Sequence, residues 1–358
     1  MNLAVVRNLA SPRVLRSAAD GEDFEQEIVD QYALALAATG AGDATVESNC
    51  RAVVDFIRFG GRRLWSLGAE DADRYLVFLR RERHLKPSTV QGYARAILRF
   101  YDFAISRYQG DVHALTGCVM TQPIDEFNRP ARANLSLVRV PPSREEVECL
   151  FRQWGAALPD ARKYLPAARD YLAASLWRRG GLRIRETAML DIRDWRPDLG
   201  AWGKLHVRFA KGSRGRGPKT RLVPAIDGID TLMTWWFTDV RHQFDDDWTN
   251  PDAPLLPSER RDELTGSCCR IGTDALRSGL AGAVRQWLPD WKGLLTPHGL
   301  RHYCASALYQ RGVDLKAIQD LLGHNWLSTT SHYIHVPTQH IENEWMQAND
   351  RTAQRLLV

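Results

Sequence analysis

Along most of the chain apolar residues recur at helical spacing. Residues 1–21 carry no such pattern and read as a flexible arm. From Phe24 the pattern turns helical: Ile28, Tyr32, Leu34 and Leu36 fall in a first predicted helix that stops near Thr39-Gly40-Ala41-Gly42. A second starts near Thr45 and carries Val46, Val53, Phe56 and Ile57. Acidic residues at 70–73 open a third, with Tyr75, Leu76, Phe78 and Leu79 behind them. Pro87-Ser88-Thr89 opens a fourth, whose apolar stripe is Val90, Tyr93, Ile97, Leu98, Phe100 and Tyr101. Four such helices make a small helical domain over 22–127. Its aromatic residues Tyr93, Phe100, Tyr101 and Phe103 are expected in the core, not as a platform for stacked bases.

The periodicity lapses at 128–143, NRPARANLSLVRVPPS, which is rich in Pro and Arg and has no acid. This reads as an extended basic linker, either a tether or a strap along a phosphate backbone. Ser143 with Glu146 three residues on has the capping-box form and starts a second domain over 144–340. Helices are predicted through Val147–Trp154 and Ala167–Arg178. The period then changes from helical to alternating: Leu205, Val207 and Phe209 predict a strand, and Thr220–Val223 a second one. Between them lies a glycine-rich turn, so the pair forms a β-hairpin. After Pro254-Leu255-Leu256-Pro257 helices are expected to the end, with 341–358 as a C-terminal tail helix. The fold class is therefore mainly α with a small β-hairpin, in two domains.

Charge alters this picture locally. The 358-residue chain has a net charge of +5, weak evidence by itself for a nucleic-acid partner. Between Leu199 and Ile226, however, stand Lys204, Arg208, Lys211, Arg214, Arg216, Lys219 and Arg221 with no Asp or Glu. A basic run with apolar alternation inside it fits an anion-facing hairpin better than a solvated loop. The six cysteines show no C-x-x-C pair and no zinc-ligand spacing, which predicts reduced thiols in a cytosolic protein and no metal site. No stretch reaches the roughly 18 apolar residues of a membrane span, and the N-terminus lacks a signal-peptide core.

Four segments carry candidate chemistry. GGLRIRETAML holds Arg183, the hairpin holds Lys211, TPHGLRHYCAS holds His298 and Arg301, and LLGHNWLSTTSHYIHV holds His324 and Tyr333. Each is weak alone. Together they describe a phosphate site. His298 and Arg301, three apart, share a helix face behind Thr296 as N-cap and Pro297 in the first turn. Two arginines can grip non-bridging phosphate oxygens with a planar fork that lysine lacks. The charge that builds up in phosphoryl transfer is what such a clamp stabilises.

These segments resemble the tyrosine recombinases, also called the phage integrase family. The resemblance rests on His298-Gly299-Leu300-Arg301, on Leu322-Gly323-His324, on Gly181-Leu182-Arg183-Ile184-Arg185-Glu186, and on Ser328-Thr329-Thr330-Ser331-His332-Tyr333-Ile334-His335-Val336. Tyr333 lies nine residues after His324 and 32 after Arg301. The resemblance implies a C-shaped two-domain DNA clamp, made of a helical core-binding domain and a catalytic domain. It implies that Tyr333 attacks a DNA phosphate to form a 3′-phosphotyrosine, that Arg183 and Arg301 stabilise the charge, and that Lys211 protonates the leaving 5′-oxygen. It further implies that His298 assists proton transfer, that His324 hydrogen-bonds the phosphate, and that neither metal, cofactor nor ATP is required. Lys219, across the same turn, is the alternative to Lys211. Glu186 and Asp194 match supporting positions of the family.

Arg95, Arg99, Arg208, Arg214, Arg216, Lys219 and Arg221 are the candidate DNA contacts. The expected partners are double-stranded DNA with specific sites, further copies in a tetramer whose tails exchange between protomers, and other recombinases or accessory factors. Three functions compete: site-specific recombination for a mobile element or phage, strand nicking and rejoining of the type IB topoisomerase kind, and a non-catalytic DNA-binding subunit.

Overall fold

In the computed structural model the described residues are 17–131, 142–210 and 219–323, apart from the side chains of Ala210 and Lys219. Lys211, Arg214, Arg216, His324, Tyr333, the tail 341–358 and most of the 128–143 segment lie outside them. The chain divides into two compact units, each with its own core.

The first unit consists of α1 (Ala18–Ala38), α2 (Asp43–Gly60), α3 (Ala69–Arg81) and α4 (Pro87–Thr116). Helix α1 begins at a capping box between Ser17 and Asp20, and Pro87 stands in the first turn of α4, where its missing N–H costs nothing. The apolar stripes converge on Phe24, Ile28, Phe56, Tyr75, Phe100 and Tyr101, all buried. Tyr93 and Phe103 pack against that core, and the buried Tyr101 hydroxyl donates to the Leu64 carbonyl at 2.7 Å.

The second unit opens with α5 (Arg144–Ala156), started by the expected reciprocal cap of Ser143 and Glu146. Then come α6 (Tyr164–Gly180), the one-turn α7 (Ile184–Ala188), β1 (Trp195–Arg196), β2 (Lys204–Ala210), β3 (Lys219–Pro224) and α8 (Ile229–Trp235). Helix α8 runs on into a π turn at Trp236–Val240. After β4 (Pro257–Arg261) and β5 (Cys268–Arg270), the described chain ends in α9 (Thr273–Trp287), α10 (Pro297–Gln310) and α11 (Leu315–Leu322).

Strands β1, β2 and β3 form an antiparallel sheet in that order, with Leu205 opposite Val223 and Val207 opposite Arg221. Leu205, Val207 and Val223 point into the core. The fold is thus mainly helical with small sheets. It departs from the all-helical expectation after Pro257, where β4 and β5 form a second antiparallel hairpin. The core centres on α6, whose Leu172, Leu176 and Trp177 are fully buried. The Trp177 indole donates to the Thr187 hydroxyl at 2.9 Å and so ties α6 to α7, the turn that carries Glu186.

Candidate active site

The site is organised around one buried carboxylate. Glu186 reaches back from α7 to accept the Arg183 backbone N–H at 2.9 Å, which closes the helix start. The same carboxylate accepts Arg183 Nη1 at 2.7 Å, and Arg221 Nη1 and Nη2 at 3.0 and 2.7 Å. Arg301 Nη1 approaches its Oε2 at 3.9 Å. Burial alone would raise the Glu186 pKa. The hydrogen bonds and charges of Arg221 and Arg183 outweigh it and hold the group down at about 2. Three guanidinium groups around one carboxylate leave the cluster with excess positive charge.

The same three arginines meet the end of α11. The last carbonyls of a helix have no intrahelical donor and carry the negative end of its dipole. Here Arg221 Nε donates to the Leu321 carbonyl at 2.9 Å, Arg301 Nη2 to Leu322 at 2.6 Å and Arg183 Nη2 to Gly323 at 3.4 Å. Arg301 Nη1 also donates to the Gly181 carbonyl, which joins α6 to the same cluster. Gly181 has φ +61°, and a Cβ there would stand 2.5 Å from Leu322 Cδ2, so only glycine fits between α6 and α11. Arg301 is wholly buried, whereas the Arg183 side chain keeps 27% of its exposure, so Arg183 is the guanidinium that faces solvent.

Helix α10 presents His298 beside this cluster. Its start is fixed by the Thr296 hydroxyl, which accepts the Gly299 N–H at 3.1 Å. Partial desolvation and the nearby charges of Arg301 and Arg183 push the His298 pKa below its ordinary value, so its ring is neutral at pH 7 and able to take a proton. The His302 ring stands edge-on to it at 4.7 Å.

The structure therefore brings together Arg183, Glu186, His298 and Arg301, and adds Arg221. Among the described residues, the other predicted ones lie elsewhere. Asp194 is buried in a second network, where it accepts the Asp191 N–H and binds Arg208 Nε at 2.6 Å. Arg208 also contacts Asp191, which in turn pairs with Arg270. Two of the expected DNA contacts are paired within the protein. Arg208 and Arg221 turn inward to buried carboxylates, because the acids that neutralise them lie upstream of the basic run, at positions 186, 191 and 194. Arg95 and Arg99 stand exposed on α4, while Lys219 lies in β3 opposite Ala210. The contribution of Arg221 to the cluster went unread. Its only sequence signal is its place in a strand that also carries the buried Val223.

The profile of the phage integrase family matches residues 156–340, and that of the phage integrase N-terminal SAM-like domain matches 28–111. The chain belongs to the phage integrase family. It is a tyrosine recombinase, and its relatives and structural neighbours agree. Tyrosine recombinase XerC of Nitrobacter winogradskyi is 29% identical over 319 residues, covering 78% of this chain and 92% of that one. XerC of Methylobacterium nodulans is 33% identical over 184 residues, or 51% of this recombinase and 50% of the relative. Among solved structures, XerH site-specific recombinase bound to a palindromic difH substrate aligns with TM-score 0.62 and 19% identity, covering 92% of this chain and 84% of that one. The Tn1549 transposon integrase in complex with circular intermediate DNA aligns with TM-score 0.60 and 17% identity, covering 90% and 99%. As a tyrosine recombinase, the protein catalyses DNA cleavage and rejoining.

Proposed function

We propose that this enzyme is the site-specific recombinase of a mobile element or phage, working through a covalent 3′-phosphotyrosine. The carrying observation is the Glu186 cluster: Arg183, Arg301 and His298 converge with surplus positive charge where α11 ends. After Gly323 comes His324, and Tyr333 follows within the matched family region.

In this reading the Tyr333 hydroxyl gives its proton to His298 and its oxygen attacks the scissile phosphorus. The bond from phosphorus to the 5′-oxygen breaks, and Lys211 supplies the proton that makes the free 5′-hydroxyl; Lys219 is the alternative donor. Arg183 meets the non-bridging oxygens, Arg301 adds its field from behind, and His324 hydrogen-bonds the phosphate. A tyrosine of ordinary pKa near 10 needs such cations to be nucleophilic at neutral pH. Rejoining is the reverse step, so neither ATP nor metal enters. The working form is a tetramer of this chain on paired DNA sites in the cytoplasm. The Tn1549 transposon integrase, bound in its solved structure to circular intermediate DNA, supports the mobile-element assignment.

The test is a nicked suicide substrate built from the DNA that the protein selects out of a random pool. The wild type should form a covalent adduct that Tyr333→Phe abolishes. No adduct, or one that survives Tyr333→Phe, sinks this mechanism. Exchange of ends between two DNA molecules separates recombination from mere relaxation of supercoils.

A further inference from the structure

We propose that Arg221 is a positioning residue for DNA cleavage, acting through Glu186 and the Leu321 carbonyl to hold Arg183 and the end of α11 in working geometry. The inference rests on the reading of the active site given above, in which the segment after α11 carries His324 and Tyr333.

Arg221 projects from β3, and its side chain is only 10% exposed. It therefore does not read DNA from the surface. All three of its guanidinium nitrogens are engaged: Nη1 and Nη2 span both oxygens of Glu186, and Nε serves Leu321. A lysine has one compact ammonium and cannot bridge two carboxylate oxygens and a carbonyl in these fixed directions. The stem of Arg221 also packs under the corner before His324. A Cβ on Gly323, at φ +65°, would stand 3.1 Å from Arg221 Cδ.

Sharing of Glu186 gives the arrangement its consequence. Glu186 Oε1 accepts both Arg183 Nη1 and Arg221 Nη1, while Oε2 accepts the Arg183 N–H and Arg221 Nη2. With Arg221 in place, the carboxylate is neutralised from the β3 side, and Arg183 keeps donors for a phosphate. Without it, among the described residues Glu186 keeps Arg183, the residue that precedes α7, and the more distant Arg301 from α10, with His298 beside them. Glu186 then draws Arg183 inward, away from the substrate. The Leu321 carbonyl loses its donor at the same time, and the corner leading to His324 loosens.

The test compares wild type, Arg221→Lys and Arg221→Gln in three measurements. On a suicide substrate, single-turnover adduct formation should fall by about 10²-fold, the scale of a misplaced catalytic group. The Kd for the same DNA should stay within about twofold across salt concentrations, and the lysine variant, which keeps the charge, should not restore the rate. Adding Glu186→Gln to Arg221→Gln should cost little more than either change alone.

The third measurement follows the Glu186 carboxyl by 13C NMR without DNA. In the wild type it should stay ionised wherever the protein is folded, whereas in both variants its titration should move up. A purely structural role would lower melting temperature without that movement, and Arg221→Lys separates misfolding from mispositioning. A weakened Kd with a shallower salt dependence would instead make Arg221 a DNA contact and overturn the proposal, as would an unmoved Glu186 titration. If the wild type forms no adduct, the reading of the active site fails, while the Glu186 titration still decides whether Arg221 holds that carboxylate.

Discussion

Glu186 shows how a buried carboxylate can be a stabilising group. Its pKa is held at about 2, below the ordinary value of 4.5, so the folded state binds its proton less readily than the unfolded chain. Stability from this group is fully present above the unfolded value and is lost as pH falls through the interval toward 2. The size is about 3 kcal/mol for a shift on this scale. In urea titrations the wild type should lose stability between about pH 4.5 and 2, and Glu186→Gln should flatten that part of the profile. Glu186→Gln should also destabilise at pH 7 by about 3 kcal/mol, since it removes the carboxylate that the largely buried Arg221 grips at 2.7 Å. His298 obeys the opposite charge logic. Desolvation, then Arg301 and Arg183, lower its pKa, so its ring should titrate below 6.5 by NMR. Removing one cation with Arg183→Gln should raise that value; no movement would mean that Arg183 does not act on the ring.

At the level of elements, α11 is held by what meets its end. Three arginines from three different elements cap its carbonyls, and Gly181 gives it room. Gly181→Ala adds a methyl where Leu322 Cδ2 already lies 2.5 Å away, at a positive φ. We expect a loss of about 1–3 kcal/mol in denaturant unfolding, together with faster hydrogen exchange at the end of α11. Unchanged exchange there would mean that the two elements are not packed as described. Much of this architecture was legible in the sequence. Helices α1–α6 announce themselves by apolar periodicity, by the Ser143 cap and by Pro87 in a first turn, and β2 and β3 by the change to alternation. The hairpin β4–β5 was not legible, because in Pro257-Ser258-Glu259-Arg260-Arg261 Pro257 alone is buried and the last three residues are exposed, so there is no buried face to impose alternation. The partners of Arg208 and Arg221 were hidden for another reason. Pairing over 14 to 35 residues of separation depends on tertiary packing, and a local count of like charges takes no account of it.

For the molecule as a whole, the number of basic residues overstates the cations available to DNA. Of the arginines behind the total of +5, Arg208, Arg221, Arg241 and Arg301 lie half-buried or deeper against carboxylates. Arg95 and Arg99 on α4 are exposed, lie four residues apart on one face, and belong to the region matching the N-terminal domain of phage integrases. Removing a phosphate contact reduces affinity for every sequence alike and makes the dependence of log K on log salt shallower by about 0.9 per contact. Arg95→Ala with Arg99→Ala should therefore weaken binding equally on specific and random DNA, with a slope shallower by up to about 2 and an unchanged melting temperature. Arg208→Ala should do the reverse. It leaves the buried Asp194 without its cation, so stability should fall by about 3 kcal/mol while the salt slope stays as in the wild type. Measuring both variants by fluorescence anisotropy over a salt series, beside thermal melts, separates cations that hold the fold from cations that hold DNA. If Arg208→Ala flattened the slope and spared stability, the inward assignment of Arg208 would be wrong, and Arg208 would return to the candidate DNA contacts.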